Sequence, residues 1–224
     1  MPIARSTLAG VATGVVLLAG AVGFGVGLPE LVDDAAASPE LPSLPDQLDE
    51  RFVALSALTP EIAKMQTPDE ITQMEAFAEQ AGKSEDETTD RLSDIYGDAV
   101  VRSYLDVPAT TAAQQQGRPA QFAVTITPGD PGLVMPSGPF QIDQQGTHYE
   151  LKELDGYRCS VIWSEPIDPA TGVPTGAEPT GANYQVECRT ERDGITYDLY
   201  SSGLTPDEAT YYLDLVLEKT GSRD

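Results

Sequence analysis

The sequence predicts an α+β protein: an N-terminal transmembrane helix, a helical neck, then a small antiparallel sheet of about five strands packed against a C-terminal helix. Three observations carry this. Residues from Leu8 to Leu28 hold no charge, the apolar period changes from helical to alternating near residue 119, and a capped amphipathic segment opens at Thr205.

The charge-free run comes first. As a helix rising about 1.5 Å per residue it reaches about 30 Å, enough to cross a bilayer core. Residues 1–7 then form a cytoplasmic tail and 8–28 the anchor. Arg5 precedes the run, whereas Glu30, Asp33 and Asp34 follow it, which keeps the N-terminus inside and places the remainder outside. Six glycines dilute the run's hydrophobicity, and Ala35-Ala36-Ala37 before Ser38 has the small-residue form of a cleavage site. Secretion after cleavage near Ala37 is the alternative to a retained anchor.

Residues 29–45 read as a spacer rich in proline and acid, because Pro39, Pro42 and Pro45 lack backbone donors. The neck spans 46–106. Leu48, Phe52 and Leu55 share one helical face behind Asp46, predicting a helix over 46–58. Thr67-Pro68-Asp69-Glu70 starts a second helix with a cap, a first-turn proline and a returning glutamate, and Ile71, Met74, Phe77, Ala78 and Ala81 form its stripe. Ser84 and Glu87 repeat the capping spacing and predict a third, striped by Leu92, Ile95, Tyr96 and Val100. Residues 107–119, with Pro108 and Gly117-Arg118-Pro119, break the periodicity and read as a linker.

Beyond it, 120–224 is expected to be an extracytoplasmic α+β domain that closes a core of its own. Phe122, Val124 and Ile126 alternate, as do Tyr149 with Leu151, Tyr157 to Trp163, Tyr184 to Cys188, and Ile195 to Leu199. Asp155-Gly156 and Asp193-Gly194 between such runs suit the positive dihedral angles of tight hairpins. Glu165 to Gly181, rich in Pro and Gly, reads as a surface loop. Thr205-Pro206-Asp207-Glu208 opens the last helix, whose Ala209, Tyr212, Leu213, Val216 and Leu217 face the sheet.

Cys159 and Cys188 both fall in the apolar phase of their strands, and two thiols outside the cytoplasm oxidise, so a disulfide is expected whether the strands are neighbours or sit on facing layers. Tyr200 and Tyr211 fall off the inward registers and are the candidates for an exposed contact surface.

Composition restricts function. Thirteen Lys plus Arg against 36 Asp plus Glu give a net charge of −23, which disfavours nucleic acid as a partner. The single histidine, His148, opens a predicted strand and has no serine on a glycine-flanked turn, so Ser-His hydrolysis is unsupported. Two cysteines and one histidine do not furnish a four-ligand zinc site, and no calcium or phosphate loop occurs, so no catalytic residue, metal or cofactor is assigned. The expectation is a single-pass membrane-anchored protein of a cell envelope, acting through an acidic extracytoplasmic binding domain on an envelope protein or an unidentified small ligand. The rival is a secreted or anchored hydrolase using paired carboxylates, which requires a concave site and a carboxylate of raised proton affinity.

Overall fold

The computed structural model describes residues 39–112, 119–129 and 146–222, with backbone alone for 110–112. The expected tail, anchor and Ala37 cleavage point lie outside the described residues. Among the described residues no helix is long and apolar enough to cross a membrane.

The elements run β1 (Phe52–Ala54), a 3-10 turn (Leu55–Ala57), α1 (Pro68–Tyr96), β2 (Val100–Asp106), α2 (Val107–Ala112), β3 (Gln121–Pro128), β4 (Thr147–Leu154), β5 (Tyr157–Ser164), a second 3-10 turn (Gly181–Asn183), β6 (Tyr184–Arg192), β7 (Ile195–Ser202) and α3 (Pro206–Lys219). Among the described residues, seven strands form one sheet in the order β1-β2-β3-β7-β6-β5-β4. Every neighbouring pair is antiparallel.

The five expected strands are β3 to β7, and the sheet exceeds that expectation by two. Both additional strands come from the stretch expected as a helical neck, so 46–106 is corrected to one helix plus β1 and β2. No helix forms over 46–58. There the Asp49 carboxylate accepts from the backbone N–H of Arg51 and of Phe52 (2.8 and 2.9 Å), turning the chain so that Phe52 pairs with Asp106. Leu48 and Phe52 are nevertheless both buried, since their spacing recorded burial without deciding the backbone. The two further helices expected are one, α1. Ser84 does not cap because the chain is already helical there, and the helix runs through Gly82 without a break. Residues 107–112 of the expected linker are helix α2, and 113–118 lie outside the described residues.

The capping chemistry holds at both sites. Thr67 and Glu70, and Thr205 and Glu208, exchange reciprocal bonds between side chain and backbone at the starts of α1 and α3. At the hairpin turns, Asp155 and Gly156 have φ of 52° and 83°, and Asp193 and Gly194 have 54° and 74°. Those positive angles twist each turn to match its strands.

α3 lies on one sheet face, where Ala209, Tyr212, Leu213, Val216 and Leu217 meet inward residues of β1, β2, β3, β5, β6 and β7. Burying each large side chain there stabilises by about 1.5–3 kcal/mol. An aromatic cluster joins the layers: Phe52 lies 4.9 Å from Phe122 and 4.6 Å from Tyr212, and Tyr104 lies 5.1 Å from Phe122. The expected spacer ends in this core, because Leu44 is buried and the Tyr104 hydroxyl donates to the Pro45 carbonyl at 2.7 Å. Arg51 clamps the periphery, donating to Asp106 at 2.6 Å and Glu208 at 2.7 Å. Burial opposes its charge, but bonds to Glu208 and Asp106 prevail and hold its pKa above the ordinary value. The disulfide Cys159–Cys188 is present, with directly opposed partners on neighbouring strands and a Cα separation of 4.1 Å.

Candidate interaction trench on the outer sheet face

Alternate residues of the same strands point away from α3 and make the outer face. α1 covers only one end of it, over β2 and the turn after β1. Val53, Leu58, Ala78 and Val107 are buried there, with Leu55, Ile62, Met74 and Leu105 packed around them. Glu85 enters this seam with its charge satisfied, accepting from the Ser56 hydroxyl at 2.6 Å and the Ser103 backbone N–H at 2.9 Å.

Where α1 leaves the sheet a trench opens. Its larger part, about 520 Å³, runs between Phe77, Gln80, Ser84 and Thr88 on α1 and Val101, Ala123, Thr125 and Tyr200 on the strands. A smaller part of about 210 Å³ continues past Leu55, Ser103 and Ala123 to Gln121 and Ser202. Register explains the floor: Ala123 stands opposite both Ser103 and Tyr200, and Thr125 opposite Val101 and Asp198. Small residues in the middle strand make the depression, and Phe77 (47% exposed) and Tyr200 (43%) make its walls.

Among the described residues, Glu85 is the one charged side chain in that lining, on a chain carrying −23. The helix explains how. Phe77, Gln80, Ser84 and Thr88 recur every three or four residues and share a side, while Glu79, Asp86 and Asp90 fall on the opposite side.

Next to Tyr200, across the pair with β6, stands Glu187. Arg189 donates to Asp198 at 2.6 Å and to Glu187 at 3.2 Å, and all three side chains are largely buried. Burial first, and then the negative charge of Asp198, push the Glu187 carboxyl up to about 7 against the pull of Arg189. Burial raises Asp198 as well. A carboxyl titrating near neutrality is the property a general acid needs. Here it is turned to Arg189 rather than into the trench lining.

The two tyrosines singled out by their register are not brought together. Tyr200 walls the trench; Tyr211 projects from α3 on the other side of the sheet, 55% exposed and edge-on to Tyr212 at 5.1 Å. His148 stacks on Trp163 at 3.9 Å, with Nε2 3.1 Å from a Glu165 oxygen, and the Trp163 N–H donates to Glu150 at 3.0 Å. Among the described residues no group of three or more His, Cys, Asp or Glu is placed to hold a metal. Of the trench residues, sequence reasoning assigns only structural roles to Leu55, Phe77, Ala81 and Ser84, and does not single out Gln80, Thr88, Val101, Ser103, Ala123 and Thr125. Their legible signal was an uncharged stripe on an otherwise highly charged helix. Compared with known proteins, the chain matches no family model, no curated protein and no solved structure.

Proposed function

We propose that this chain is a single-pass membrane-anchored envelope protein whose extracytoplasmic module acts by binding, with the trench beside α1 as its binding surface. The observation that carries the reading is the lining: an open, apolar, nearly charge-free trench on a chain of −23. Depletion of charge at the centre of a patch, with aromatic side chains at its walls, is the compositional mark of an interface core. The charge-free run from Leu8 to Leu28 and the acids that follow it support the anchor and its orientation. The Cys159–Cys188 disulfide suits an oxidising compartment.

Two measurements test this. The full chain is expected to fractionate with membranes and to lose the residues beyond about 38 to externally added protease. A soluble form beginning at Ser38 supports secretion instead. A photo-crosslinking side chain at position 88, in the trench, is expected to give an adduct in cells that the same group at position 86, on the far side of α1, does not. Equal labelling from both positions counts against the trench.

The hydrolase reading draws on one observation, the raised Glu187 carboxyl beside Asp198. It requires a turnover that falls by about a hundredfold or more in Glu187→Gln. Turnover unchanged by that substitution removes it.

A further inference from the structure

Sheet strands lie about 4.8 Å apart and a helix with its side chains is about 10 Å across, so one packed helix covers about two strands. α1 covers β2 and the turn that follows β1. The next helix position across the outer face is over β3 and β7, and that is where the trench runs. Its floor has the small residues such a seat needs, Ala123 and Thr125, and its walls are the half-exposed rings of Phe77 and Tyr200.

We propose that the trench seats an amphipathic helix of a partner protein, apolar toward Ala123 and Thr125 and basic along its flanks. The inference rests on the binding role proposed above and specifies the partner's chemistry. The apolar side follows from the floor, where the one charge, Glu85, is already bonded to the Ser56 hydroxyl and the Ser103 N–H, so that a charge buried over Ala123 and Thr125 would cost its desolvation. The basic flanks follow from the chain's net charge of −23, against which the trench is nearly uncharged. Complementary charge of that kind accelerates encounter and fixes orientation. The same charge disfavours a second copy of this chain, which brings another −23 to the contact. The trench is an open channel walled by the hydroxyls and amides of Gln80, Ser84 and Thr88, which suits a polypeptide better than an acyl chain in an enclosed tunnel.

The test uses the full chain in phosphatidylcholine nanodiscs and two fluorescent designed helices, one of leucine and lysine and one of leucine and glutamate. Ser84→Lys/Thr88→Lys places charge in the trench, and Asp86→Asn/Asp90→Asn makes the same change in net charge on the opposite side of α1. All four positions are exposed, so both variants are expected to fold, which circular dichroism verifies. The leucine–lysine helix is expected to bind, the leucine–glutamate helix to fail, S84K/T88K to weaken binding about tenfold or more and D86N/D90N by less than about twofold. Equal weakening in both variants overturns the proposal, because attraction is then diffuse. Absence of leucine–lysine binding also overturns it. If a fluorescent fatty acid then binds the chain and is lost in S84K/T88K, the trench remains a binding surface and only the helix is wrong. A dimer abolished by S84K/T88K assigns the trench to a second copy and likewise overturns the proposal. Failure of the broader reading shows separately, as equal crosslinking from positions 88 and 86.

Discussion

The two faces of this sheet are made by alternate residues of the same strands, yet they are built to opposite specifications. On the α3 face, Val124, Ile126, Val161, Val186, Cys188, Tyr197 and Leu199 are fully or almost fully buried, and one helix closes over them. On the outer face, the residues between them are Ala123, Thr125, Ser160, Glu187, Arg189, Asp198 and Tyr200, and α1 covers one end. The contrast teaches that one face carries the stability, so the other is released to hold buried charge and an open trench.

The largest effect expected from breaking this arrangement is loss of folding. A fragment of residues 119–224 lacks Phe52 and Tyr104, which pack on Phe122, and lacks β2, which pairs with β3 over six residue pairs. It is expected to show no cooperative melting where the chain from residue 39 melts sharply; a cooperative fragment would support the boundary expected at 107–119. Within the intact chain, Phe122→Ala is expected to cost about 3–5 kcal/mol, read as a shift in denaturant midpoint. Cys159→Ala/Cys188→Ala opens a link between residues 29 apart and is expected to cost about 2–4 kcal/mol on the chain-entropy view.

The outer face is expected to respond differently, through pH. The folded-state Glu187 carboxyl titrates at about 7 against an ordinary 4.5, so between those values the folded chain binds more protons than the unfolded one. Stability contributed by this group is therefore full below about 4.5 and lost as pH rises through about 7, by about 1–3 kcal/mol. Glu187→Gln is expected to flatten the difference between urea midpoints at pH 5 and pH 8, and an unchanged slope would locate the pH dependence elsewhere. The smallest effect belongs to the trench wall: S84K/T88K is expected to change stability by less than about 0.5 kcal/mol while altering binding.

Both caps, both hairpin turns, the disulfide and the five strands β3 to β7 were legible because each rests on short-range chemistry or a clear period of two. Thr67 with Glu70 and Asp193 with Gly194 need no distant partner to declare themselves. β1 and β2 were not legible. Phe52–Ala54 is too short to show a period, and Val100 also continued the helical stripe of Leu92 and Tyr96, which hid the alternation beginning there. The exposure of Tyr200 was foreseen from its register, but the trench it walls was not, because the other wall stands more than a hundred residues away in sequence.

The sequence by itself determined where α1 and α3 begin, where the hairpins turn, which cysteines pair and which residues of β3 to β7 face a core, since those depend on neighbours within a few residues or on a strand's own alternation. Only the tertiary structure decided that β2 pairs with β3, placing the strands from before residue 107 in the same sheet as those after it, and that α1 lies on the face opposite α3. Pairing and layer order are settled by which apolar faces meet once loops have closed, and a single chain's local pattern fits several such meetings equally well. The trench is the product of that choice, an uncharged helix side brought beside small residues of a strand with which it shares no local pattern.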